Sequence, residues 1–376
     1  MPLGVAELQR AHALFGAPDE VIAQRRALYA ALLELFSDDM PLERVDDMLD
    51  SPAVRGHLGA VLAGDTHFVA SRCCSIDELV DESCKREIEG CVVRLASSVS
   101  AREGLADAVL RISDELQQYG ADAPRATLVT TADRPDMGAL FGLLVKGIEL
   151  AVHLVPALAL DLLPHVSLFA ILARDASDRL GSASAREFPG LVLIPEPRSP
   201  LEVAEALIHE GAHQKFFDLA TTRALFGEPS DQPPQFSPSW APAGAPSWPI
   251  EQTFAAWHAY CCLSVVRDSL GTLSVHEDSL LPRAEQRRVE IGEWLLAHGD
   301  ALGRDGHAFL GAMLDRRPAR EGTDTPVDVA RSVIAADESS LVRRVGERTL
   351  VVTRSSPVEL LWLHSDVLDA SARREL

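Results

Sequence analysis

One stretch decides the centre of the fold: Ser199-Pro200-Leu201-Glu202, followed shortly by Ile208-His209-Glu210-Gly211-Ala212-His213. The serine is a typical helix N-cap, the proline after it suits the first helical turn, and the glutamate three residues after the cap completes the signature. Alanine, leucine, glutamate and lysine are frequent from there to about Thr222, which predicts one long helix. His209 and His213 are then one helical turn apart and lie on the same face.

This pair of histidines belongs to an H-E-x-x-H motif. Two imidazoles on one helical face form a bidentate anchor for a metal ion. Chance gives roughly 0.03 such matches in a chain of this length and composition, so the match favours a function over two unrelated histidines. We therefore predict that His209 and His213 are metal ligands and that Glu210 has a catalytic or supporting role.

The identity of a third ligand separates the reaction classes. Metzincin proteases continue the motif with glycine and histidine, but Phe216 and Leu219 occupy those places here, which excludes that class. Thermolysin-like proteases place a glutamate roughly 20 residues after the second histidine. The nearest glutamates in this chain, Glu228 and Glu251, both have the wrong spacing.

His258 is the better candidate for the third ligand. It lies in a segment that begins as a helix at residues 248–253 and is apolar on nearly every side. A lone histidine in such a helix is usually a core residue. The two-histidine anchor upstream changes that expectation and favours a metal ligand.

Composition limits the possible functions. The chain has 376 residues, with 35 Lys+Arg against 56 Asp+Glu and a net charge of −21. This charge argues against nucleic-acid binding, which depends on cationic side chains at the phosphate backbone. The N-terminus lacks the features of a signal peptide, and the apolar stretch at residues 150–173 is interrupted by polar and proline residues, so we expect a cytoplasmic protein without a membrane segment. We expect the six cysteines to be free thiols.

We predict an α+β fold that is predominantly helical, with a helical N-terminal region, central metal-binding helices with a few strands, and a C-terminal β-hairpin. Apolar periodicity predicts helices at Val21–Phe36, Ile76–Ser97, 138–174, 250–270 and 280–302. Short β-branched runs predict strands at Ala126–Thr131 and Glu187–Pro195, and a hairpin from Leu341 to Leu363.

Three regions follow from these patterns. Residues 1–120 form a helical scaffold or peptide-docking region, residues 121–310 form the metal-binding catalytic domain, and residues 311–376 form a C-terminal α/β segment packed on the core. The catalytic domain contains a proline-rich loop at residues 229–249. We expect this loop to be ordered near a site because it carries Phe236, Trp240 and Trp248.

Residues 165–270 resemble a known family, the HExxH-type iron(II)- and 2-oxoglutarate-dependent peptide β-hydroxylases of clusters for ribosomally made, modified peptides. The features that carry the resemblance are Ser182-Ala183-Ser184, the strand at 190–194, the helix at 204–215, a loop with tryptophan and proline, and His258 on a later helix. The resemblance implies Fe(II), 2-oxoglutarate and O₂ as cofactors. It also implies hydroxylation of a precursor-peptide side chain, plausibly at the β-carbon.

One departure from the family concerns the co-substrate. The family carries a Pro-Trp-Arg element in this loop, whereas this chain has Pro238-Ser239-Trp240 and no arginine from residue 228 to 266. Another cation must then anchor 2-oxoglutarate, and Arg186, Lys215 and Arg267 are the candidates by sequence. Trp240 and Trp248 are the candidate substrate-loop residues.

Two other functions stay open at this point. The first is a zinc-dependent peptidase or amidohydrolase that uses Glu210 as general base and His258 or Glu251 as third ligand. The second is a catalytically silent peptide-binding subunit with a structural metal. In each case the partner is a peptide, and we expect the acidic N-terminal region to help hold one with a basic or neutral recognition segment.

Overall fold

The computed structural model describes residues 3–36, 48–62, 74–118, 126–174, 181–227, 230–271, 274–314, 340–345, 348–353 and 359–364. Parts of some predictions lie outside the described residues: one of the six cysteines (Cys73), Glu228, the first loop residue Pro229, and residues 354–358 of the predicted C-terminal hairpin. The five described cysteines are free.

The described chain is predominantly helical, with three small sheets, as predicted for an α+β fold. Its helices are α1 (Val5–Ala13), α2 (Pro18–Phe36), α3 (Pro52–Leu62), α4 (Ile76–Leu79), α5 (Val99–Gly104), α6 (Ala106–Gln118), α7 (Met137–Leu154), α8 (Pro156–Leu162), α9 (Pro200–Thr222), α10 (Ile250–Ser269), α11 (Ala284–Ala297) and α12 (Arg304–Met313). Its strands are β1 (Lys85–Ile88), β2 (Cys91–Ala96), β3 (Leu168–Leu172), β4 (Leu191–Pro195), β5 (Gln235–Phe236), β6 (Trp248–Pro249), β7 (Ser340–Val345), β8 (Arg348–Thr353) and β9 (Glu359–His364).

Helix α9, which carries the H-E-x-x-H motif, is the central element. The Ser199 hydroxyl accepts a hydrogen bond from the Glu202 amide at 3.3 Å, which is the predicted N-cap. The helix packs against α2, α7, α8 and α10, so it is buried on most of its surface. A Cβ atom at Gly147 of α7 would meet Val203 and the Pro200 carbonyl, so glycine allows α7 to cross α9 closely.

The helix predicted at Ile76–Ser97 is wrong beyond its first turn. After α4 the chain forms the antiparallel hairpin β1–β2, which turns at Glu89 and Gly90. Both turn residues have positive φ angles, 48° and 80°, as the tight turns of hairpins require. The β-branched pair Val92-Val93 then fits a strand, where one of the two side chains is buried and the other exposed.

The helix predicted at 138–174 ends earlier than expected. Helices α7 and α8 cover its first part, and the last residues form the fully buried strand β3. Strand β3 lies parallel to both β2 and β4, giving the sheet order β1-β2-β3-β4. An apolar run buried on both faces has no alternation, so periodicity alone does not distinguish it from a buried helix.

The two other strand predictions had different outcomes. Residues 126–131 contribute only an isolated bridge between Leu128 and Leu172, whereas the run at 187–195 contains β4. In the C-terminal region β8 pairs with β9 as predicted, and β7 adds a third antiparallel strand that the prediction did not include.

The main apolar core spans two of the predicted regions. Leu8, Phe15 and Leu95 from the N-terminal region belong to the same buried cluster as Leu207 and Trp257 from the predicted catalytic domain. Strands β2 and β3 pair across the same boundary. The described parts of the two regions therefore share both a core and a sheet.

Helix α7 is long and apolar enough to cross a membrane by length and composition alone. Its buried residues include Leu144 and Ile148, and it packs along α9. A core helix of a soluble protein passes the same test, so this feature is weak support for a membrane segment.

Candidate metal centre

Helix α9 presents its two motif histidines side by side. The ring centroids of His209 and His213 are 4.9 Å apart. One donor atom from each of these rings and one from the Glu210 carboxylate all lie within 4.8 Å of one another. The structure thus brings together all three motif residues that the sequence singled out.

Both imidazoles are in a state that can bind a metal. Burial, together with the charge of Arg287, lowers the pKa of His209 to about 4. Burial and the neighbouring His209 likewise lower the pKa of His213 to about 4. The rings are therefore neutral at physiological pH, as a metal ligand must be. His209 Nδ1 is also buried without a hydrogen-bond partner, so this ring retains unused bonding capacity.

Two serines hold the carboxylate of Glu210. Ser182 Oγ donates to Oε1 and Ser184 Oγ donates to Oε2, each at 2.7 Å. Ala183 between them forms a bridge with Leu193 of β4, so this segment is extended and both serines lie on the same side of it. A carboxylate offers about four lone-pair directions, of which the serines use two. Glu210 is thus fixed in direction and can still accept a proton or bind a metal.

The three motif residues line a cavity of about 560 Å³. The segment around Ser182 and Ser184 forms one part of its wall, and the start of α10 with Glu251 forms another. Arg111 and Arg186 also line it. The cavity is large enough for a small co-substrate beside part of a substrate chain.

His258 does not join this group in the structure. Its Nδ1 lies 3.0 Å from the carbonyl oxygen of Ala212, and its Nε2 lies 2.8 Å from His12 Nε2. Cys262 Sγ is 3.7 Å from the same Nε2. Because both ring nitrogens of His258 are directed at these partners, neither faces His209 and His213, and its assignment as their third ligand stays a prediction without geometric support.

The three cations proposed for the co-substrate lie in different places. Arg186 lines the cavity, as predicted. Lys215 is buried and donates to Asp161 Oδ2 at 2.5 Å. Arg267 pairs with Asp268 at 2.7 Å at the surface. Lys215 and Arg267 are absent from the described lining of the cavity.

Arg287 is a cation beside the centre that no sequence pattern pointed to. Arg287 Nη1 donates to the Tyr260 hydroxyl at 2.6 Å, and the Tyr260 ring lies 5.8 Å from the His209 ring. The guanidinium also stacks over Trp240 at 4.9 Å. Arg287 stands on α11, far along the chain from the motif, and only the packing of α11 against α10 brings it here, so no local signal identifies it.

The proline-rich loop is ordered against these helices in its described part. Trp240 contacts Trp248 and Tyr260, with ring centroids 6.2 and 6.3 Å apart. Ser239 is anchored to Glu290 of α11 through its amide at 2.8 Å. Both predicted loop tryptophans therefore lie in an aromatic layer that reaches the centre through Tyr260.

Comparisons with known proteins add no relative. No protein-family model matches the chain, and a search of curated proteins finds no match.

Proposed function

We propose that the chain is an iron(II)- and 2-oxoglutarate-dependent oxygenase that hydroxylates a precursor-peptide side chain at its β-carbon. The observation that carries this proposal is the donor set, two neutral imidazoles and one carboxylate at the wall of an open cavity. Two histidines and one carboxylate with open positions are typical of non-haem iron(II) oxygenases. The peptide substrate and the β-carbon rest on the family resemblance.

The residues present fit such a metal. His209 and His213 would hold it through neutral rings, and Glu210 is the third donor close to them. When bound, the iron with 2-oxoglutarate and O₂ supplies the oxidant for an unactivated C–H bond and yields the alcohol, succinate and CO₂. Ser182 and Ser184 keep the Glu210 carboxylate from turning away from the pair.

Arg287 and Arg186 are the two candidate cations for the co-substrate; Arg186 lines the cavity, whereas Arg287 is not among its lining residues and is connected to the centre through Tyr260. 2-Oxoglutarate carries two carboxylates, and arginine binds carboxylates through paired N–H donors. Arg287 is close enough to His209 to lower its pKa, and its hydrogen bond to Tyr260 fixes its direction. Arg186, on the cavity wall, is the alternative anchor.

A second groove supports a chain-like substrate. This groove of about 1030 Å³ is lined by Glu78, Glu103 and Asp107. Arg186 and Glu187 line both the groove and the metal cavity, so the two are adjacent. The three carboxylates suit a basic or neutral peptide segment, and they belong to the N-terminal region expected to dock one.

The test is anaerobic titration of the full chain with Fe(II) and then 2-oxoglutarate. We expect a visible metal-to-ligand charge-transfer band, and succinate formation once air and a candidate peptide are added. His213→Ala should lose the band. Absence of the band and of succinate, together with peptide cleavage restored by Zn(II), would contradict the proposal.

Two arginine variants locate the co-substrate anchor. Arg287→Met should weaken 2-oxoglutarate binding about tenfold or more while Fe(II) binding persists, because only the cation is removed. Arg267→Met is the matched control and should bind 2-oxoglutarate as the wild type does. Equal binding by both variants would point to Arg186.

A zinc-dependent hydrolase is the second candidate, because Glu210 is placed beside the histidines and Glu251 lines the same cavity. The same titration separates the two functions. A hydrolase would cleave peptide with Zn(II) and lose this activity in Glu210→Gln, with no dependence on 2-oxoglutarate. A silent binding subunit would retain peptide binding in His213→Ala and show neither reaction.

A further inference from the structure

A second group of metal-ligating side chains lies between α1 and α10. It consists of His12 from α1 and His258 and Cys262 from α10, all buried. His12 Nε2 and His258 Nε2 are 2.8 Å apart, and Cys262 Sγ lies 3.7 Å from His258 Nε2. The three donor atoms all lie within 4.8 Å of one another.

The outer nitrogens of both rings face groups that only accept hydrogen bonds. His12 Nδ1 lies 2.5 Å from Asp161 Oδ2, and His258 Nδ1 lies 3.0 Å from the Ala212 carbonyl oxygen. Asp161 Oδ2 also accepts a hydrogen bond from the Lys215 ammonium at 2.5 Å, so it is a carboxylate oxygen with no proton to donate. Each Nδ1 must therefore carry its ring's proton and donate it.

This assignment leaves a conflict at the centre of the group. A neutral imidazole has one N–H, and both are used at the Nδ1 positions. The two Nε2 atoms then face each other at 2.8 Å with lone pairs only, which is repulsive. A cation between the two Nε2 atoms would relieve this repulsion, and Cys262 Sγ at 3.7 Å from His258 Nε2 supplies the third donor that a metal ion needs and a shared proton does not.

We propose that His12 Nε2, His258 Nε2 and Cys262 Sγ form a second metal site for a zinc-type divalent ion. Two imidazoles and a thiolate are ligands that Zn²⁺ favours. Metal-bound histidines characteristically donate their other N–H to a carboxylate or a backbone carbonyl, as His12 and His258 do here.

The distances are close to those of a tetrahedral site. Zinc bond lengths place two nitrogens about 3.3 Å apart, and a nitrogen and a sulfur about 3.6 Å apart. The observed 3.7 Å between His258 and Cys262 matches the second value. The two nitrogens need to separate by about 0.5 Å, which a small ring rotation provides.

The group lies close to a cavity. This cavity of about 380 Å³ between α1 and α8 is lined by His12 and Asp161, whereas His258 and Cys262 are fully buried behind the His12 ring. Binding would release the Cys262 proton and form a thiolate.

Cobalt(II) is a suitable probe, because a thiolate ligand gives it a near-ultraviolet charge-transfer band that a histidine and carboxylate site lacks. The full-length wild type should bind about two equivalents of Co(II) and show this band. A His209→Ala/His213→Ala variant should lose one equivalent and keep the band. Both measurements leave His12, His258 and Cys262 unchanged. They therefore test the proposed site even if a variant of these three core residues does not fold.

Adjacent cysteines supply a matched pair of variants. Cys262→Ala should lose the thiolate band and one equivalent of Co(II), whereas Cys261→Ala, equally buried on the same helix, should keep both. A wild type without the band overturns the proposal. A band that Cys262→Ala keeps, or that both variants lose alike, also overturns it.

Discussion

At the residue scale, the histidines show that environment rather than residue type decides the chemistry. His209 and His213 line an open cavity beside a carboxylate, while His258, on the neighbouring helix, is directed at His12 and the Ala212 carbonyl. Burial makes all of these rings neutral at physiological pH. A neutral ring has a nitrogen lone pair that can bind a metal ion. The direction in which that nitrogen points decides which of the two groups of ligands the ring belongs to.

Removing the two serines that hold Glu210 should weaken the metal centre. We expect Ser182→Ala/Ser184→Ala to lower metal affinity about 10- to 100-fold, as is usual for groups that orient a metal's ligands. Competition with a chelator of known affinity measures this. The control is Ser237→Ala/Ser247→Ala, which breaks a 2.8 Å hydrogen bond between loop serines that do not contact Glu210. A control that loses as much affinity would contradict the role assigned to Ser182 and Ser184.

At the scale of the element, α9 links three parts of the molecule through different faces. One face carries the metal centre, and Gln214 on another binds the backbone of Gly190 and Leu191 at the start of β4. Asp218, one helical turn after Gln214 and on the same face, pairs with Arg25 of α2 and Arg55 of α3. A helix held on these two faces can keep two ring nitrogens in one geometry.

The β1–β2 hairpin is an element whose turn can be tested separately. Gly90→Ala should lower the free energy of unfolding by about 1 kcal/mol, because its φ of 80° strains any residue with a Cβ. Gly142→Ala, in α7 with open space around the added Cβ, should raise it by about 0.5–1 kcal/mol. Urea unfolding measures both. If residues 76–97 formed the helix predicted from the sequence, Gly90 would lie inside a helix, and Gly90→Ala would stabilise the protein as Gly142→Ala does. Stabilisation by both variants would therefore contradict the hairpin.

At the scale of the whole molecule, a buried ionic network joins the N-terminal region to helix α9. The Asp218 carboxylate accepts from Arg25 at 2.7 Å, Arg55 at 2.5 Å and His165 at 2.7 Å, and its side chain is 1% exposed. Burial would raise the pKa of Asp218, but the Arg25 and Arg55 guanidinium groups, together with the hydrogen bond to His165, hold it well below its ordinary value. Folding of the two regions is thereby coupled.

Breaking this network should affect the entire fold. We expect Asp218→Asn to lower the free energy of unfolding by about 3–5 kcal/mol, because two buried guanidinium groups lose their counter-charge. Asp136→Asn, an exposed partner of Arg134, should change it by about 0.5 kcal/mol or less. Urea denaturation followed by circular dichroism measures both. Similar losses in the two variants would show that burial of the pair is unimportant.

The buried histidines predict loss of stability in mild acid. His12, His209 and His213 have a pKa of about 4 in the folded protein, below the ordinary value of about 6.5 in the unfolded chain. Between these values the unfolded chain binds more protons, so stability falls as the pH is lowered through this window. Each ring should cost about 2 kcal/mol at pH 5 relative to pH 7.5 in metal-free protein.

Urea midpoints of metal-free protein at pH 7.5, 6 and 5 measure this effect. The variant His209→Ala/His213→Ala should show a smaller decrease over the same range, because two of the buried rings with lowered pKa values are absent. Acidic groups with depressed pKa values, such as Asp218, contribute only below this window, since their stabilisation is lost as the pH falls through their folded pKa. Constant midpoints from pH 7.5 to 5 would contradict the prediction.

The sequence by itself determined the features that depend on local chemistry. The cap at Ser199 and the H-E-x-x-H spacing gave α9 and the side-by-side rings of His209 and His213, because a helix period fixes which residues share a face. The predominantly helical α+β class and the pairing of β8 with β9 followed equally from periodicity and turn residues.

Only the tertiary structure decided what depends on packing. Strand β3 is buried on both faces and has no periodicity to distinguish it from a helix. The direction of the His258 ring depends on α1, which supplies His12 from 246 residues away, and Arg287 reaches Tyr260 only because α11 packs on α10. The local sequence determines the secondary structure of a residue and the chemistry of its side chain. The residues that pack against it, which are distant in the chain, determine which ligand or partner that side chain meets.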